Sequence, residues 1–148
     1  MAPFKAGCLT VLAGAVAVIA TIYVLHRQSF CISEWRFTSD EVKINAAAFE
    51  AFQWNNATNS NPKVNRPIRY ASIEEFRTIN PDCCQIATIE EVRRWHGEPS
   101  FMNVLFGYQT DIVKVRYAER FLKEDETHQS KEKLMMIPVS SCGAVVID

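Results

Sequence analysis

Sulfur is the chemistry this sequence places most pointedly. The tetrapeptide Asp82-Cys83-Cys84-Gln85 sets two thiols side by side, and Cys31 and Cys142 lie in the same stretch beyond Arg27. Cys8 falls inside an apolar run, where a thiol behaves as a small hydrophobe. Four remaining cysteines make an even set, which can close as two disulfides in three pairings. Bonding neighbours to each other strains a ring that contains their own planar peptide. The sequence therefore predicts that Cys83 and Cys84 each bond one of Cys31 and Cys142. Such bridges tie the start and end of a folded unit to one inner loop, and they belong to an oxidising compartment such as a periplasm.

The same residues support a rival chemistry. A vicinal dithiol at Cys83 and Cys84 with His96 as a base would make a small thiol-redox or Cys-dependent enzyme. Against it, His96 follows Trp95 at an expected helix end, where an imidazole commonly serves the last carbonyls. No C-x-x-C is present, so neither a thioredoxin-like centre nor a zinc site is expected. Buried free thiols are the plainer alternative. Glu74, Glu75, Glu90 and Glu91 stand in first helical turns, where capping and the helix dipole account for them. Phosphate loops, G-x-S-x-G and H-E-x-x-H are missing from the sequence. No catalytic residue, cofactor or metal is assigned.

What positions these residues begins with residues 6–25, AGCLTVLAGAVAVIATIYVL, which carry no charge. Twenty helical residues rise about 30 Å, the thickness of a bilayer's hydrocarbon core. A cleaved signal peptide competes, since residues 1–5 form a short basic leader. The run is longer than such a peptide needs, however, and its small-x-small triplets lie in the middle rather than at the bulky end. A lipobox at Cys8 is disfavoured by Lys5. The reading is an uncleaved anchor, with Tyr23 at the interface and His26 and Arg27 as the polar stop. Flanking positive charge is nearly balanced, so the cysteines decide the orientation, with the carboxyl-terminal part outside the cytoplasm. Ala13, Ala17 and Thr21 share a helix face, a spacing that an Ala-rich helix readily produces by chance.

Residues 26–37 form a short connection holding Phe30, Ile32 and Trp35, and residues 38–148 read as one domain close to the bilayer. Beyond Arg27 lie seventeen acids and fourteen Lys or Arg, a formal charge of −3, interspersed without a basic stripe. Nucleic acid is not an expected partner. Nine Phe, four Tyr and three Trp indicate a packed core.

Thr38-Ser39-Asp40-Glu41 resembles a capping box opening a helix over residues 39–52, with Val42, Ala46, Phe49 and Phe52 or Gln53 at the spacing of one face. Residues 55–67, Asn-rich with two prolines, read as a loop that holds the sequon Asn56-Ala57-Thr58. Ser72 and Thr88 open two further helices, the first with Ile73, Phe76 and Ile79 inward and ending at Asn80-Pro81. The second has Ile89, Val92 and Trp95 inward and ends at Gly97. Residues 101–108 read as an aromatic strand and residues 112–122 as a strand with Val113, Val115, Tyr117 and Phe121 on one face. Residues 123–133 read as a charged loop, 134–139 as the return strand with Pro138 at an edge, and 144–147 as a last short strand.

The expected fold is α+β: an N-terminal transmembrane helix, then two or three helices packed on a twisted antiparallel sheet of three to four strands. The expected function is a membrane-anchored, extracytoplasmic interaction or accessory domain braced by disulfides, with an envelope or membrane protein as partner.

Overall fold

The computed structural model describes residues 3–29, 31, 37–57, 65–123 and 125–146. Its described elements are five helices and one antiparallel sheet. Helix α1, Pro3–Arg27, is long and apolar enough to cross a membrane. Its residues from Thr10 to Ile22 are exposed, so α1 is no core helix. Helix α2, Asp40–Ala57, then leads to strand β1, Asn65–Pro67, and helix α3, Ile73–Ile79. Strand β2, Cys84–Ile86, precedes helices α4, Ile89–His96, and α5, Phe101–Phe106. Strands β3, Thr110–Lys123, and β4, His128–Ser140, form a long hairpin.

Strand β3 is the spine. It pairs with β4 along its length, from Thr110 opposite Ser140 to Leu122 opposite His128. Its other edge takes β2 opposite Val113 to Val115 and β1 opposite Phe121 to Lys123. The two short strands thus lie end to end on one side of β3, and the sheet is three strands wide wherever either pairs. Alternation places Val113, Val115 and Tyr117 on one face, and all three are buried.

Helices α2 and α3 cover that face. Helix α2 contributes Ala47, Ala48 and Ala51, whose small side chains let its backbone lie close against Val113, Val115, Ile137 and Val139. Below α3 the core is aromatic: Phe76 is fully buried, with ring centroids 5.0 Å from Tyr70 and 5.4 Å from Tyr117. Burying a Phe side chain completely contributes about 2–3 kcal/mol. The Asn80 amide crosses this core, its oxygen accepting from the Ala118 N–H at 2.9 Å and its nitrogen donating to the Phe76 carbonyl at 2.7 Å.

The caps at Ser72 and Thr88 form as expected, each hydroxyl accepting from the backbone N–H three residues on. Gly97 closes α4 at φ 80°. Several expectations are corrected. Residues 101–106 are a helix and not a strand, because Ser100 Oγ accepts from the Asn103 N–H and Gly107, at φ 78°, ends the turn. Helix α2 is rotated by one residue from the expected face: Lys43, Ala47, Ala48, Ala51 and Asn55 are buried, while Val42 and Phe49 are exposed. Its cap is Ser39, since the Thr38 hydroxyl donates instead to the Ser141 carbonyl at 3.1 Å.

Helix α2 also runs five residues past Phe52 into the expected loop, and residues 65–67 pair with β3. Asn56 ends there with its amide spent on Tyr70, donating to its carbonyl at 2.9 Å and accepting from its N–H at 3.1 Å. Thr58 of the sequon lies outside the described residues, as do Phe30, Ile32 and Trp35. In α4 only Val92 points inward, while Ile89 and Trp95 are exposed, and in α3 Ile79 is exposed too. The charged residues 129–133 are strand, because β4 continues its pairing to His128. The expected last strand is a single bridge between Val139 and Val145.

Candidate functional site

A dense polar cluster lies where α1 meets the sheet. His26 and Arg27 occupy the last turn of α1, where cations are favoured by the helix dipole. The His26 Nε2 lies 2.9 Å from the Gly107 carbonyl, which it reaches as a donor. Arg27 Nη1 donates to the Tyr108 carbonyl, and Nη2 stands 3.4 Å from Asp111 Oδ2. Asp111 is at the start of β3 on the face that α2 covers, so Lys43 reaches it as well, at 2.7 Å. A second carboxylate, Asp40, lies 3.4 Å from the same ammonium. In return, the Arg27 carbonyl accepts from Ser141 Oγ at 2.6 Å. Two separate stretches of the chain, residues 107–111 and Ser141, thus hold the end of α1.

Cys31 and Cys142 sit at disulfide distance beside this cluster, with their Cα atoms 6.0 Å apart and a sequence separation of 111. Cys83 and Cys84 are likewise at disulfide distance from each other. This corrects the expected pairing. Strands β2 and β4 flank β3 on opposite edges. Cys84 on β2 and Cys142 just after β4 are therefore separated by the width of the sheet. Cys31 is delivered to Cys142 by the bonds that dock α1 and the start of α2 on Ser141.

His96 is elsewhere. Its ring packs against Trp95 and stacks on Tyr108, at 4.7 and 6.1 Å between centroids. Among the described residues it has no contact with Cys83 or Cys84, which belong with the core beside α2 and α3. His128 starts β4. Of the residues named from the sequence, then, the structure joins the cysteines two by two and leaves His96 apart.

Beside the cluster a cleft of about 440 Å³ opens between α4, α5 and the start of β3. Ile86, Val92, Val104 and Ile112 make its walls apolar, and Arg27, Arg93 and Asp111 give it charge. The Asp111 carboxylate is engaged by two cations. Among the described residues, no three His, Cys, Asp or Glu side chains converge where a metal could sit. On the far side of α4, Glu91 is held down to about 2, first by Lys114, which donates to it at 2.7 Å, and then by the Thr88 N–H that it caps.

The arrangement ties the end of α1 to the sheet through ion pairs and hydrogen bonds. Sequence reasoning missed Lys43 and Asp111, because a lysine on an amphipathic helix and an aspartate at a strand's start read as solvated. It also missed the role of α5, for which a signal existed: residues 99–110 carry no charge in a chain that is 22% charged. No family model, curated protein or solved structure matches the chain.

Proposed function

We propose that the chain is a single-pass membrane protein whose folded part lies outside the cytoplasm and serves as an interaction or accessory module for an envelope or membrane protein. The observation that carries this reading is the joint. An exposed apolar helix ends in a cluster that fixes it to the sheet through Asp111, Tyr108 and Ser141, and a cysteine pair at disulfide distance sits beside that cluster. Such a joint transmits a fixed orientation from the membrane to the folded part. The four cysteines beyond α1, paired without remainder, favour an oxidising side.

The rival reading, a thiol-redox protein, has the vicinal pair Cys83 and Cys84 in its favour. The base named for it, His96, stacks on Tyr108 instead, and Cys83 is buried.

The test is maleimide gel-shift labelling of intact and permeabilised cells, with and without reductant. The proposal expects the four cysteines beyond α1 to label only after reduction and denaturation. Reducible bridges in cells whose cytoplasm is reducing would place the domain outside it. Labelling of Cys83 and Cys84 in the native protein without reductant overturns the bridged scaffold and supports the thiol reading.

A further inference from the structure

Helix α5 has no reason to exist as a part of the core. None of its residues is buried, and Phe101, Val104 and Leu105 are 74%, 66% and 56% exposed. A six-residue helix is far too short to be stable in water by itself. Its one polar side chain, Asn103, turns to the cleft against the domain. What α5 does touch is α1: Phe106 lies 6.5 Å from Tyr23 and 6.1 Å from His26, centroid to centroid. Leu105 and Phe106 form an apolar groove with Val16, Ile19, Ala20 and Tyr23.

The level of that groove is informative. Val16 stands nine residues before Leu25, about 13 Å down the axis of α1 from the end of its apolar run. If α1 spans a bilayer, side chains that share a groove with Val16 and Ile19 lie below the headgroups. Part of the backbone just past α5 is prepared for such a place. Buried in hydrocarbon, free carbonyls at a helix end are costly, and the two that follow α5, on Gly107 and Tyr108, take donors from His26 and Arg27. Ser100 answers an N–H at the other end. On the neighbouring α4, half-exposed Trp95 stands with Arg93 and Arg94, residue types that collect at the membrane interface.

We propose that α5 lies in the bilayer, with Phe101, Val104 and Leu105 among lipid acyl chains beside α1, so that the folded part is seated on the membrane rather than held above it. This rests on the reading of α1 as a membrane span. The occupant of the exposed face is lipid, because the face continues the lipid-facing surface of α1 without a polar break.

The test uses the full chain in phosphatidylcholine vesicles whose acyl chains are brominated near the headgroup end. An environment-sensitive fluorescent amino acid is placed by itself at Leu105, at Val18 in α1, or at Leu134, which is exposed on β4 opposite Arg116. All three positions are exposed, so the fold tolerates the change. The expected result is loss of most emission at Val18 and Leu105 and little loss at Leu134. Quenching at Val18 without quenching at Leu105 overturns the placement of α5 and leaves the anchor standing. A blue-shifted but unquenched probe at Leu105 assigns the face to protein, such as a second copy of the chain, and also overturns it. Unquenched Val18 removes the span, and α5 with it.

Discussion

Asp111 takes two cations on one carboxylate in a half-buried setting, and the asymmetry of such clusters sets what its loss would do. Removing the carboxylate leaves Lys43 and Arg27 facing each other with little water to separate them, whereas removing one cation leaves an ion pair intact. Asp111→Ala is accordingly expected to lower unfolding stability by about 3 kcal/mol in urea titrations. Lys43→Met retains the aliphatic packing and is expected to cost less than about 1 kcal/mol. Equal losses from both would show that the cluster does not act as described.

Glu91 makes a second prediction at this scale. A carboxyl held down to about 2 contributes stability that is fully present above the ordinary carboxylate range and is lost as pH falls through about 2. A carboxyl-carbon NMR titration should find Glu91 still ionised at pH 3, and Lys114→Met should move its midpoint back up. A midpoint near 4 in the unchanged protein would remove both the cap and the pair. The cap itself was legible in Thr88-Ile89-Glu90-Glu91, since it depends on residues three apart. Lys114 as its partner was not, because that contact spans 23 residues and depends on how α4 folds back on the sheet.

At the scale of elements, local signals told the truth where one segment settles its own conformation. Ser72, Thr88 and Gly97 bound their helices, and the alternation of Val113, Val115 and Tyr117 assigned β3 its buried face. Residues 101–106 misled because the aromatic and branched content was weighed above the Ser100 cap and the i, i+3, i+4 spacing of Phe101, Val104 and Leu105. The face of α2 was misjudged for a different reason. Large side chains were assigned inward, but the space above a sheet of Val and Ile is filled by three alanines at close approach.

The cysteine pairs differ sharply as elements of stability. If closed, the Cys31–Cys142 bridge spans 111 residues, and chain entropy assigns it about 4–5 kcal/mol. A Cys83–Cys84 bridge closes no loop in the unfolded chain, so this source contributes almost nothing. Replacing Cys31 and Cys142 by Ser should therefore lower the urea midpoint greatly, and replacing Cys83 and Cys84 only through lost core packing. The reverse order would refute this assignment. Beside the first pair, Gly143 holds φ 87°, and an added Cβ would stand 3.0 Å from Val42 Cγ1. Gly143→Ala is expected to cost roughly 1–3 kcal/mol from backbone strain alone, measured by the same titration.

For the whole molecule, the apolar run of α1 was evident from its length alone. How α1 meets the rest could not be read from the sequence, because it depends on β3 bringing Asp111, and β4 bringing Ser141, to the same end of the sheet. The joint also imposes an order in time. Arg27 and Cys31 emerge early in synthesis, whereas Ser141 and Cys142 follow more than a hundred residues later. Through most of translation the end of α1 has no partner, and Cys31 waits without Cys142. The seam between helix and sheet is thus among the last to be sewn, and a chain halted before residue 107 would keep its helix but never acquire a fixed bearing.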